Sequence, residues 1–205
     1  MNLADRQAAL RLVPALATLV EELEIYERLL VKWQSKLNLI GRSTIDDIWV
    51  RHFGDAAQLT GLASLSRRWA DLGSGAGFPG MVVAIAMKHH RAGEMHLIES
   101  DKRKASFLRE VSRETGAMAI IHNARCEDVL TDIAPEVIVS RAMASLDSLV
   151  GYATPFVDNG AIALFMKGRD IASELTHTSI PSNFSLSVSR SQVDPDSSIV
   201  RIKAV

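Results

Sequence analysis

Between residues 10 and 37, Leu16, Leu19, Val20, Leu23, Tyr26, Leu30, Trp33 and Leu37 recur every three or four positions, with Glu21, Glu22, Glu24 and Lys32 between them. That spacing predicts an amphipathic helix, with Pro14 marking its start. Asn38 to Ser43 breaks the period and holds Gly41. A second helical stretch is expected from Thr44 to Leu65, with Ile45, Ile48, Trp49, Phe53, Ala56, Leu59 and Leu62 on one side.

From Arg68 the rhythm changes. Trp69–Leu72, Met95–Ile98, Met118–Ile121, Val137–Val139 and Ala161–Met166 are short apolar runs that read as strands. Helical patterns fall between them at Phe78–His90, from an Asp101 N-cap to Gly116, at Leu146–Phe156 and at Ile171–Thr176. Alternation of this kind implies a mostly parallel sheet covered on both faces. At the end, Phe184, Leu186 and Val188 alternate with serines. After Asp194-Pro195-Asp196, Val200, Ile202 and Ala204 alternate with Arg201 and Lys203. Two such strands predict a hairpin that makes one edge of the sheet antiparallel. The expected organisation is an N-terminal helical extension, residues 1–66, packed on an α/β domain, residues 67–205.

The chain has 205 residues, 47% of them hydrophobic, enough for a substantial core. Cys126 is the single cysteine, which rules out an internal disulfide and fits a reducing compartment. No run is apolar enough to span a membrane, and the first residues lack a signal-peptide pattern, so a cytoplasmic protein is expected. The net charge of −1 says little about partners. Arg67-Arg68, Lys88-His89-His90-Arg91 and Lys102-Arg103-Lys104 are the local basic clusters.

The densest chemistry is Asp71-Leu72-Gly73-Ser74-Gly75-Ala76-Gly77-Phe78-Pro79-Gly80, with four glycines in ten residues between a strand and a helix. Such a turn brings backbone N–H groups close to a ligand. Gly75-x-Gly77-x-x-Gly80 formally fits a dinucleotide turn. Asp71-x-Gly73-x-Gly75-x-Gly77 fits the first motif of S-adenosylmethionine methyltransferases better, since an acid there suits an ammonium and repels a pyrophosphate.

In an open α/β sheet the ligand lies across the C-terminal strand ends. That rule adds Glu99 for the ribose hydroxyls, the stretch of Ala124, Arg125, Cys126 and Glu127 for an adenine, and Ser140-Arg141-Ala142 facing the reacting methyl. The Asn- or Asp-Pro-Pro-aromatic turn used on exocyclic amines is missing from that last position. Cys126 is the only thiol and lacks a proline neighbour, which disfavours attack on a pyrimidine carbon. His89, His90 and His96 have no metal-ligand spacing, and no metal is expected. A target with a free lone pair, such as guanine N7, fits best.

The sequence resembles the bacterial ribosomal RNA small subunit methyltransferase G family, also called glucose-inhibited division protein B. The resemblance runs from about Tyr26 to Arg169. It rests on Trp33 with Asn38-Leu39, on Arg51-His52-Phe53-x-Asp55, on the glycine turn through Phe78-Pro79-Gly80, and on Ser140-Arg141-Ala142 with Lys167-Gly168. It implies a seven-stranded, Rossmann-like methyltransferase fold and methylation of N7 of guanine 527 in 16S rRNA. It implies S-adenosylmethionine as cofactor, contacted by Gly73, Phe78, Cys126, Glu127 and Arg141, with Glu99 at the ribose. The partner implied is 16S rRNA or the small ribosomal subunit, and a monomer is expected. Many members carry Thr after Asn-Leu where this chain has Ile40, and the last thirty residues match nothing specific.

Arg141 is the residue expected nearest the target, without a general base. His52, Lys102, Arg103 and Lys167 are the RNA-binding candidates. The rival readings are an NAD-dependent oxidoreductase on Gly75, Gly77, Gly80 and Glu99, a small-molecule methyltransferase lidded by the N-terminal helices, and a non-catalytic RNA-binding protein.

Overall fold

The structure, a computed structural model, describes residues 2–205. Seven strands form one sheet: β1 Arg68–Leu72, β2 Glu94–Ile98, β3 Ala119–His122, β4 Val137–Arg141, β5 Ile162–Lys167, β6 Phe184–Arg190 and β7 Ser198–Ala204. Their order is β3-β2-β1-β4-β5-β7-β6. β1 to β5 pair in parallel, and β7 runs antiparallel to both β5 and β6. The expected C-terminal hairpin is present, with β7 inserted between β5 and β6. β1 has β2 on one side and β4 on the other, so the chain order reverses there and a crevice opens at the C-terminal strand ends.

Strand parity sorts the core into two layers. Trp69, Met95, Leu97, Val139 and Leu164 face one way, with α4 (Gly80–His90) and α5 (Lys102–Thr115). Ala70, Leu72, Ile98, Ile138, Ala163 and Phe165 face the other, with α6 (Cys126–Ile133) and α7 (Leu146–Val157). A short α8 spans Ile171–Thr176. The buried residues of the N-terminal helices, Leu16, Leu23, Tyr26, Leu30 and Phe53 among them, join the α4/α5 layer.

The N-terminal region departs from its expected outline. Helix α1, Leu3–Leu12, comes first, its N-terminus capped by the Asn2 side chain, which accepts from Asp5 N–H. The sequence pattern gives no sign of it, and only Asp5 and Ala9 of α1 are buried. Pro14 opens a 3-10 turn, Pro14–Thr18, and α2 then covers Val20–Gln34.

The expected helix from Thr44 to Leu65 is a series of unlike turns. A 3-10 turn at Arg42–Asp47 gives way to a π-helical turn at Trp49–Gly54, the single α-turn α3 at Asp55–Ala57 and a 3-10 turn at Gln58–Gly61. At the π-helical turn, α1 intervenes. The Asp5 carboxylate accepts the N–H of Trp49 at 2.8 Å and of Val50 at 3.2 Å, and these donors are lost to the regular ladder.

Candidate active site

Asp71 and Leu72 close β1, and the glycine turn follows. Parity puts Asp71 on the α4 side, where it is fully buried. Its Oδ2 accepts the N–H of Gly80 at 2.9 Å, at the start of α4, and its Oδ1 has no hydrogen-bond partner. A side chain at Gly80 is excluded, because a Cβ there would lie 2.6 Å from Asp71 Oδ2 and 2.3 Å from Leu97 Cδ2. Burial raises the Asp71 carboxyl to about 7. Asp71 was expected to meet a cofactor ammonium. The structure instead turns it inward, where it holds the first turn of α4.

Glu99, just past β2, fastens the turn from the other side. Its Oε2 accepts the N–H of Gly75 at 2.8 Å and its Oε1 the N–H of Asp101 at 2.7 Å. Gly73 to Ala76, Phe78, Glu99 and Lys104 line a hollow of about 340 Å3 that Arg141 and Met143 close. A second hollow, about 280 Å3, holds Ile98, Ala124, Cys126, Glu127 and Tyr152. Gly73 and Met143 line both.

Met143 is the divider. Gly73 has φ +63°, and a Cβ added there would stand 2.4 Å from Met143 Cγ. The thioether is carried in by Ala142, a non-glycine residue at φ +56°. Nothing in the local sequence marks Met143, and sequence reasoning passed it over.

Cys126 opens α6 and is buried, and burial pushes its thiol up to about 11. It is an unreactive wall residue at neutral pH. Glu127 is exposed in the first turn of α6 and accepts from Tyr152 Oη at 3.1 Å.

Arg141 ends β4 with its side chain 20% exposed. Its guanidinium lies 4.9 Å from the Phe78 ring centre. Phe78 is buried in an aromatic cluster, stacked 4.9 Å from the His52 ring and 5.3 Å from the Tyr26 ring. The Tyr26 hydroxyl donates to the Ala76 carbonyl, which ties α2 to the glycine turn. Phe78 thus has its neighbours already.

Two of the four RNA-binding candidates already have partners within the fold. His52 is buried, with Nε2 2.8 Å from Thr44 Oγ1, and burial with the nearby Arg141 and Arg51 lowers it to about 3. It is neutral and inside, where no phosphate reaches. Lys167, 8% exposed, is paired to Glu174 Oε2 at 2.7 Å and donates to the Ala144 carbonyl at 2.9 Å. Its charge is committed within the fold.

Lys102 and Arg103 are exposed in the first turn of α5, at the same strand ends as the hollows. Arg103 also donates to the Lys36 carbonyl at 2.6 Å. The other basic clusters lie elsewhere. Arg68 opens β1 and pairs with Glu94, and Lys88 and His89 end α4 on Glu22.

The β6–β7 loop, within the last thirty residues, has a definite place. Ser191 Oγ donates to Asp55 Oδ1 at 2.8 Å, Arg51 pairs with Asp194 at 3.1 Å, and Gln192 N–H reaches Gln58 Oε1 at 2.8 Å. The hairpin tip therefore clasps the turns that carry His52 and Asp55. Among the described residues no group of three or more His, Cys, Asp or Glu is placed to hold a metal ion. No helix among them is long and apolar enough to cross a membrane.

Comparison with known proteins adds to this geometry. The family model described as rRNA small subunit methyltransferase G matches residues 19–194. A Ribosomal RNA small subunit methyltransferase G from Bradyrhizobium sp. (strain BTAi1) is 44% identical over 177 residues, covering 85% of this chain and 80% of that protein. The protein of the same name from Parvibaculum lavamentivorans is 43% identical over 188 residues, 91% of this chain and 83% of its own. A solved structure of a mutant MtNAS in complex with S-adenosylmethionine shares the fold at TM-score 0.56 and 14% identity, covering 89% of this chain and 74% of that one.

Proposed function

The chain belongs to the rRNA small subunit methyltransferase G family, and on that premise we propose that it methylates N7 of a guanine, guanine 527, in the 16S rRNA of the small ribosomal subunit. At the coarser level it is an S-adenosylmethionine-dependent rRNA methyltransferase.

The observation that carries the reading is the paired hollow at the β1 switch point. One half is bounded by the glycine turn, Glu99 and Lys104, and the other by Ile98, Cys126 and Tyr152. A long ligand with a charged end and an aromatic end fits such a groove. Gly73 and Gly75 would approach it with backbone alone, whereas Gly77, expected there too, packs against Tyr26, Leu108 and Met81; Glu99 keeps lone pairs for ribose hydroxyls beyond its two backbone bonds. When bound, S-adenosylmethionine supplies an electrophilic methyl on a sulfonium. Met143 must give way for both hollows to be filled together.

The chain's own groups suit a target that needs no deprotonation. Cys126 is held as a thiol, His52 is buried and neutral, and Lys167 is paired. Guanine N7 offers its lone pair at neutral pH, so alignment can supply ~7–11 kcal/mol of the barrier. Arg141, on the wall facing the target, orients and excludes water. Lys102 and Arg103, on the rim, are the phosphate contacts we favour.

The test is transfer of labelled methyl from S-adenosylmethionine to small ribosomal subunits that lack N7-methylguanosine. Label in the 16S rRNA is expected. Cofactor binding by calorimetry without transfer to RNA would reject the substrate, and no cofactor binding would reject the site.

A further inference from the structure

A third hollow, about 160 Å3, adjoins the glycine-turn hollow across Arg141. Arg141 and Ala142 line both, whereas Asp55, Lys167 and Glu174 line only the third. Methyl transfer needs two ligands that meet at a shared wall, and this wall is the one the first hollow shares with a second polar space.

The two charged groups at its mouth are under-used. A guanidinium carries five N–H donors. Arg141 Nη1 has the Arg51 carbonyl at 3.4 Å and Asp55 Oδ2 at 4.0 Å, the first long and the second beyond hydrogen-bond reach. Asp55 is buried, and its Oδ1 is occupied by Ser191 Oγ at 2.8 Å and Gln58 Nε2 at 2.9 Å. Its Oδ2 makes no hydrogen bond among the described residues. An acceptor and a donor thus stand side by side, too far apart to satisfy each other.

One nucleobase edge complements that pair. Around guanine, the donor N1–H, the acceptor O6 and the acceptor N7 follow one another. Across the site, Asp55, Arg141 and the glycine-turn hollow follow one another in the same order. We propose that the third hollow receives the target guanine, with Asp55 Oδ2 accepting its N1–H and Arg141 donating to O6, and that Asp55 is a specificity-determining residue. This rests on the guanine-N7 reading above. N7 is then left free and faces the cofactor side. Adenine presents a donor and an acceptor in place of O6 and N1–H, so it would oppose both groups. A site that leaves buried polar groups unpaired rejects the wrong ligand strongly. The base must leave its stack to enter, as for other enzymes that act on a base.

The test uses small ribosomal subunits reconstituted with 16S rRNA that carries guanine or 2-aminopurine at the target. 2-Aminopurine keeps N7 but has a bare acceptor at N1 and no O6. Wild-type enzyme is expected to prefer guanine by ~100-fold in kcat/KM, the size of good base contacts. Asp55→Asn keeps an oxygen for Ser191 and turns an amide donor toward N1. It is expected to lose ~10-fold or more of that preference, with the cofactor Kd unchanged. Ser191→Ala, which loosens Asp55 without altering its charge, should lower the preference in the same direction by less.

A purely structural Asp55 would lower both substrates equally, and that result overturns the proposal. So does a wild-type preference below about threefold, whether or not the variants fold. Wild-type enzyme that binds cofactor yet methylates neither substrate defeats the guanine-N7 reading itself, and this inference with it.

Discussion

The guanidinium of Arg141 stands 4.9 Å from the centre of the Phe78 ring. This contact joins the end of β4 to the glycine turn, across the crevice where the two ligands would meet. It also explains why a bulky aromatic follows Gly77. Phe78 is a floor for the arginine, and Tyr26 and His52 stack on Phe78 in turn.

Arg141→Lys therefore keeps the charge and loses the plane and the fork. RNA methylation is expected to fall ~10–100-fold in kcat/KM, with the fold retained and a stability loss of ~1 kcal/mol from the weakened ring contact. Kinetics with subunits and thermal unfolding measure the two effects. Normal kinetics would contradict the role given to the guanidinium.

Gly73 and Met143 are predicted to be coupled. Gly73→Ala places a Cβ 2.4 Å from Met143 Cγ at φ +63°. The left-handed backbone alone costs ~1–2 kcal/mol, and the displaced thioether adds to it. Met143→Ala in the same chain should recover the collision part but not the backbone part, a non-additivity of ~0.5–3 kcal/mol. Unfolding of the two single variants and the double variant closes the cycle. Strict additivity would show that Met143 does not lie where it is described.

Glu99→Gln replaces a carboxylate that accepts from Gly75 and Asp101 by an amide with one acceptor oxygen. Cofactor affinity is expected to drop at least ~10-fold, since hydrogen bonds to a charged group are worth ~1.5–3 kcal/mol. Calorimetric titration decides it. An unchanged Kd would remove Glu99 from the cofactor site.

Two buried groups give stability opposing pH slopes. Burial holds Asp71 up to about 7 and His52 down to about 3. Between ~3.9 and 7 folded Asp71 keeps a proton that the unfolded chain releases, so its contribution is present at low pH and lost as pH rises. Between ~3 and 6.5 unfolded His52 takes a proton that the folded state refuses, so its contribution grows with pH. The two oppose each other from ~4 to 6.5. Asp71→Asn should unmask the histidine, with stability climbing toward pH 6.5 by up to ~1.4 kcal/mol per unit and then levelling. Urea unfolding at pH 5, 6 and 7 checks this. A variant profile parallel to the wild type would contradict it.

The alternating strands and helices, the glycine turn, Glu99 at the end of β2 and the C-terminal hairpin were all legible in the sequence, because each depends on near neighbours in the chain. What escaped depends on distant partners. The turns at 42–61 look like one helix until Asp5 takes two of its N–H groups. Lys167 reads as a phosphate contact until Glu174 meets it, and His52 as an RNA contact until Phe78 stacks on it. Asp71 reads as a ligand, yet strand parity turns it to α4. Met143 has no periodic or motif signal, and only the left-handed Ala142 carries it into the groove.

The central claim is transfer of a methyl group to guanine N7 of 16S rRNA. Its most direct test is to treat unmethylated small subunits with the protein and S-adenosylmethionine, then reduce the extracted RNA and cleave it with aniline, which cuts at N7-methylguanosine, beside RNA from untreated subunits. A single new cut, at guanine 527, is the predicted result. Methyl incorporation without a new cut would place the methyl on another atom and contradict the account.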